Sequence, residues 1–298
     1  MKTRLFTIAL AFTGINSFAQ ITVLDTDLIN IGDIIYQAYD TVPAPSISVG
    51  NAGPNQTWDF STLESQEVDP IEFIDPAGTP FGINHPTANL CTEDNGEYIY
   101  INKNMQGLSL VGFDNIPYPQ LILPLPLTYG LNTSVGPVTI MDSVMENSFL
   151  PDSIAVFITF GQAQQIDSLQ ILIESSTEFN ADAHGDVIIP MGNFDALRVK
   201  TDDVTTTDYF LYCSDTISGN GNWYPMPAAI FPSETEITSS YAWWTNDPLV
   251  KFALVQIEVD SLGGIEAVDF LTNNLTSIEE RDDLEVNVYP IPASDQLI

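Results

Sequence analysis

The sequence predicts an all-β protein, and three observations carry that prediction. Short runs rich in Val, Ile, Thr, Tyr and Phe recur along the chain, separated by clusters of Gly, Pro, Asn, Asp and Ser. No long stretch shows helical periodicity. Asn95-Gly96 stands between strand-like flanks in CTEDNGEYIYIN, a strong hairpin signal because both turn positions need φ > 0.

Two antiparallel β-sheet regions, as a sandwich or a half-barrel, are expected, with an N-terminal β domain over 20–116 and a β-meander domain over 137–275. Between them PYPQLILPLPLTYG packs prolines among leucines. Proline cannot donate to a central ladder, so 117–136 reads as an extended connector. The meander would run through VTIMDSVMEN, SIAVFITFG, SLQILIESSTEF, GDVIIPMGNFDALRVKTDD, TTTDYFLYCSD, TEITSSYAWWTN, VKFALVQIEVD and IEAVDFLTNN. Most of these segments alternate apolar and polar residues, as strands of a sheet covered on one face do. A turn at Met191-Gly192-Asn193 is expected to fold Val187 to Ile189 against Ala196 to Val199.

The ends carry an address. Residues 1–19 place Lys2 and Arg4 before an apolar run from Leu5 to Phe12 and small residues around Ser17 and Ala19, the three-part pattern of a secretory signal peptide. The run falls short of the roughly 18–20 apolar residues that span a bilayer, and no transmembrane segment is expected elsewhere. In 276–298, IEERDDLEVNVYPIPASDQLI resembles the opening of the C-terminal sorting domain of the type IX secretion system of Bacteroidota. Tyr289, Pro290, Pro292 and Ala293 match its turn motif, while Ile291 replaces the usual Asn. The resemblance implies an immunoglobulin-like sorting domain of which only the first strands are present, so the chain reads as truncated within it. It also implies the type IX machinery as a partner, and a protein secreted or held at the outer cell surface after passing the periplasm. GPNQTWDFSTL, the 185–200 hairpin and YAWWTNDPLVKFALVQIEVD are similar to a recurring pattern in uncharacterised secreted proteins with such tails, a likeness that supplies no reaction.

Charge narrows the partners. The chain has 7 basic and 40 acidic residues, and removal of 1–19 leaves 5 basic residues and a formal charge of −35. Nucleic acid and anionic lipid are repelled by such a surface, so no nucleic-acid partner is expected. Cys91 and Cys213 are the only cysteines; in an oxidising compartment they form either a disulfide or two buried free thiols. Two histidines, His85 and His184, read as turn or surface residues and have no metal-binding or triad-like spacing. No zinc site or nucleophile elbow is present, so catalytic and metal-ligating residues are assigned to none, and no cofactor is expected. CSDTISGNGNWY offers Asp215, Ser218, Asn220 and Asn222 as faint Ca²⁺ ligands, without the spacing or closing Glu of an EF-hand.

Aromatic residues are the candidate binding groups. Trp223, Tyr224, Trp243 and Trp244 flank FPSETEITSS, and Trp58 follows a Gly-Pro turn. In a strand Trp243 and Trp244 face opposite sides, so one enters a core and the other stands outward or lines a groove. An exposed indole beside acids and amides suits a glycan. The alternative is packing within a sheet covered on both faces. The tripeptide Asp-Ser/Thr-aliphatic occurs six times, with Thr41, Ser143, Ser153, Ser168, Thr216 and Ser261 as the hydroxyl residue. It is similar to the O-glycosylation acceptor of exported Bacteroidota proteins. It also suits side-chain-to-backbone turns leading into strands.

The expected function is that of a non-enzymatic exported or cell-surface β protein that binds a glycan or a surface component. Two alternatives stand beside it: a carboxylate-dependent carbohydrate-active hydrolase, and a half-barrel that accepts an apolar ligand.

Overall fold

The computed structural model describes residues 21–260 and 262–273, and in them the protein is all-β with antiparallel sheets and no closed barrel. The signal segment, the sorting motif and Ser261 lie outside the described residues.

The chain begins with β1 (Thr22–Val23), β2 (Ile34–Asp40), β3 (Gly53–Asp59) and β4 (Glu67–Glu72). A four-stranded meander follows: β5 (Leu90–Asp94), β6 (Glu97–Asn104), β7 (Gly107–Phe113) and β8 (Ile116–Pro124). The Asn95-Gly96 turn forms as predicted, with φ of 52° and 91° and Asp94 paired with Glu97. The proline-rich segment holds more order than a connector. Its first part is β8, and β9 (Leu127–Thr128) pairs with β1. Pro117, Pro119 and Pro124 fit because β8 is an edge strand and needs no donor on its open side.

The main sheet has ten strands. To β2, β3 and β4 it adds β10 (Asn132–Glu146), β11 (Gln165–Ile189), β12 (Gly192–Ser214), β13 (Gly221–Pro225), β14 (Glu234–Trp244), β15 (Val255–Val259) and β16 (Ile265–Thr272). The order is β10-β11-β12-β14-β15-β16-β2-β4, with β13 also on β12 and β3 parallel to β11. This corrects the expected division between 20–116 and 137–275. β2 pairs with β16 and β3 with β11, and one apolar core runs from Val23 through Phe73 and Leu123 to Trp243 and Leu271.

β11 and β12 each join two segments that read as separate strands. At about 3.3 Å per residue, the 25 residues of β11 span about 80 Å. The intervening Asn180-Ala-Asp-Ala-His184 continues the strand through a bulge between Asn180 and Ala183. The loop is Pro190-Met191, because Ile189 pairs with Gly192. The hairpin therefore forms out of the expected register: Val187 to Ile189 face Phe194 to Gly192, and Ala196 faces Gly185 instead of Ile189.

The turn end of this hairpin lies in the main core. The other end forms an arm with a small core of its own: Ala155, Ala163, Ile166, Leu169, Leu211, Cys213 and Met226. Here SIAVFITFG, expected as a strand, supplies helix α1 (Ser153–Ile158). Pro151-Asp152 opens the helical turn, and Ile154, Ala155 and Ile158 then share the face turned to the arm core. The Asp152 carboxylate accepts the Ile166 amide at 3.0 Å and ties the helix to the start of β11.

Candidate functional site

In the arm, pairing register assigns each side chain to a face. Leu169, Leu211, Cys213 and Tyr224 point to the α1 side, with Leu211 opposite both Leu169 and Tyr224. Alternation puts their neighbours on the other side, which α1 does not cover. One row there runs Glu146, Ser168, Tyr212, Trp223; the next runs Val144, Gln170, Phe210, Pro225. Trp223 is 41% exposed and meets Tyr212 edge to face, with ring centroids 5.3 Å apart and planes at 65°. Gly221 makes room for this pair. A Cβ there would sit 2.7 Å from Cε1 and Cζ of Tyr212. Beyond the aromatic rows, Gln170 Nε2 donates to Asp142 at 2.6 Å, and Ser233 donates to Asp208 at 2.5 Å. The result is an open aromatic face edged by amide, hydroxyl and carboxylate groups.

The four aromatic residues named from the sequence therefore separate. Only Trp223 stands on the open face. Tyr224 turns to the arm core. Trp243 and Trp244 face opposite sides of β14 and both are buried, at 0% and 3% exposure, so of the two alternatives packing within a sheet covered on both faces holds, and neither stands outward or lines a groove as a binding residue. Trp243 packs against Trp58 at 5.7 Å and Phe60 at 4.9 Å, and Trp244 against Phe252 at 5.7 Å. Trp58 is also a core residue, and its indole N–H donates to the Val49 carbonyl at 2.8 Å. Tyr212 and Phe210 were the residues missed. Their signal was the two-residue spacing in DYFLYCSD.

Other candidates also find their places. Cys91 and Cys213 are buried free thiols, one in β5 and the other in the arm core, so the disulfide alternative is not realised. Burial pushes both thiols up to about 11. His85 is not a surface residue: at 2% exposure it stacks on Tyr100 at 4.3 Å, with Nε2 2.7 Å from the Asp114 carbonyl oxygen. His184 lies in β11 against Tyr129. Asp215 accepts the Ile217 and Ser218 amides at 2.6 and 3.0 Å, and these bonds hold its carboxyl below the usual range. The CSDTISGNGNWY loop is thus closed by its own backbone. Among the described residues no three His, Cys, Asp or Glu side chains are placed to share a metal ion. Asp40, Asp215 and Asp260 each accept the amide two residues on, the turn that the Asp-Ser/Thr pattern suits. Thr41, Ser153 and Thr216 are exposed, while Ser143 and Ser168 are half-buried in strands.

One carboxylate pair is distinctive. Asp269 on β16 pairs with Gln256, and Glu258 lies diagonally across on the same face of β15. Burial, and then the charge of Glu258, pushes the Asp269 carboxyl up to about 6. A groove of about 250 Å³ beside them is lined by Ser240, Tyr241, Gln256 and Ala267. For an apolar ligand, an open groove of about 380 Å³ runs between β7, β8 and β10, lined by Leu110, Leu121, Val135 and Val138 together with Gln106 and Gln120.

Comparison with protein-family models, with curated proteins and with solved structures gives no match. The functional reading accordingly rests on the chemistry of these faces. An exposed indole braced by a second ring can stack on a sugar's C–H face, and amide and carboxylate groups further along the same face can hydrogen-bond a longer glycan.

Proposed function

We propose that this chain is an exported, non-enzymatic β protein that binds glycans on the open face of its arm. The observation that carries the reading is Trp223, exposed and braced edge to face by Tyr212 on a sheet side left uncovered by α1. The elongated β11-β12 hairpin sets this face away from the main core. Export by the type IX pathway to the medium or the outer cell surface belongs to the same proposal. Its support is the three-part pattern of 1–19 and the Tyr289, Pro290, Pro292 and Ala293 motif, and glycans on the exposed Asp-Ser/Thr sites fit that route.

A glycan array probed with wild-type protein and Trp223→Ala tests the reading. Binding by the wild type that falls about tenfold or more in the variant, at equal thermal stability, supports it. An array on which the wild type binds nothing defeats it.

A second reading, carbohydrate hydrolysis, is favoured by the Asp269 carboxyl beside Glu258 in its groove. A carboxyl held above the usual range beside a second carboxylate is the kind of pairing that glycoside cleavage uses. Release of reducing sugar by the wild type, and its loss in Asp269→Asn, would establish hydrolysis.

A further inference from the structure

We infer that the glycan taken by the arm is a cationic amino-sugar oligomer, one bearing free amines, and that anionic glycans are refused; the inference rests on the glycan-binding reading of the Trp223 face. Two observations carry it. The first is charge. No Lys or Arg occurs in 104–197 or 201–250, the segments that supply α1, β13 and all of β10, β11 and β14, and Arg198 and Lys200 lie at the main-core end of β12. Among the described residues, the charged groups flanking the aromatic face are carboxylates: Glu146 in the Trp223 row, and Asp142 and Asp208 opposite Leu172 in a row beyond Phe210. A sulfate or uronate placed on Trp223 would meet this field without a counter-charge, whereas an ammonium would be drawn to it.

The second observation is geometry. With planes at 65°, Tyr212 and Trp223 do not form one coplanar platform on which two successive rings could lie. One sugar ring is therefore held at Trp223. From Trp223, Asp208 lies one strand over and four residues along, about 14 Å away; Glu146 lies three strands over, about 14 Å away; and Asp142 lies three strands over and four residues along, about 20 Å away. No single ring reaches both the indole and a carboxylate. An oligomer does, with one ring on Trp223 and amines further along the chain at the carboxylates.

The test is calorimetric titration of the protein with four probes: glucosamine oligomers, the same oligomers fully N-acetylated, oligouronates, and free glucosamine. The expected order is glucosamine oligomers first, N-acetylated oligomers weaker, and no measurable binding of oligouronates or the monomer. Added salt should narrow the gap between the first two, because the preference is a screened surface interaction. Asp142→Asn, Asp208→Asn and Glu146→Gln should each weaken the glucosamine oligomer about two- to fivefold and leave the N-acetylated oligomer unchanged. Trp223→Ala should weaken both. Equal binding of amine and acetylated oligomers, or binding of oligouronates, overturns the amine preference and leaves the glycan reading standing. Undiminished binding of the glucosamine oligomer to Trp223→Ala identifies bulk attraction to an acidic protein and overturns both.

Discussion

Arg198 and Asp182 form a two-pronged ion pair, with Nε to Oδ1 at 2.9 Å and Nη2 to Oδ2 at 2.7 Å, and Arg198 is 2% exposed. The same guanidinium donates to the carbonyls of Val49 and Gly50 and lies over the rings of Trp58 and Tyr241, 5.8 and 5.0 Å from their centroids. One cation thereby links β11, β12, β14 and the loop before β3. Arg198→Met leaves Asp182 without its partner and the Gly50 carbonyl without this donor, while Val49 keeps only the Trp58 indole N–H. It should lower unfolding free energy by about 3–5 kcal/mol, read as a fall in the urea midpoint at unchanged slope. Arg198→Lys keeps the charge but loses the fork, and should recover only part of the loss. A midpoint for Arg198→Met equal to the wild type would show that the pair does not hold the loop.

How much of this was legible in the sequence depends on the distance over which each feature is decided. The Asn95-Gly96 turn is local, and its positions followed from φ alone. β11 and β12 were harder, because Asn180-Ala-Asp-Ala-His184 has weak strand preference and is extended by its neighbours on both sides. At the site, opposite facing of Trp243 and Trp244 follows from strand alternation, but the cover on each face comes from remote residues: Trp58 and Phe60 on one side, Phe252 on the other. Trp223 alternates in the same way, and its exposure is decided by α1 packing on the opposite face. That assignment could not be read from residues 221–225 themselves.

The two thiols should be chemically silent in the folded protein. Both lie in apolar surroundings that push them up to about 11, so little thiolate forms at pH 8 and access is closed. Ellman's reagent is expected to titrate no thiol in native protein and two in denaturant without reductant. Finding none in denaturant would mean that Cys91 and Cys213 are bridged after all.

The Asp269 carboxyl gives a pH dependence of definite sign. Its folded value, about 6, lies above the ordinary value of 3.8, so the folded state binds the proton more tightly than the unfolded chain. The favourable contribution of the protonated acid is full below about pH 4 and is lost as pH rises through about 6. The Tyr39 hydroxyl, opposite Asp269, is pushed up by burial and then by the Asp269 charge, in keeping with a face that resists further negative charge. Asp269→Asn should therefore melt higher than the wild type at pH 8 and no higher at pH 4. The same melting difference at both pH values would refute the shifted carboxyl.

Gly185 sets the one parallel contact of the main sheet among the described residues. It pairs with Ala196 on one side and Gln56 on the other, where β3 runs parallel to β11. A Cβ on Gly185 would lie 2.0 Å from the Gln56 carbonyl oxygen and 2.6 Å from its nitrogen. Both atoms are backbone, so no side-chain rotation relieves the clash, and β3 itself must move. Two residues on, Trp58 pairs with Val187 and packs on Trp243, so the displacement reaches the main core. Gly185→Ala should cost about 1–3 kcal/mol, the usual range for overpacking, or more. Hydrogen exchange should rise in a peptide covering 53–59 and stay unchanged at Leu169 and Leu211, which belong to the separate arm core. A variant with wild-type exchange over 53–59 would mean that β3 does not pair with β11 in solution.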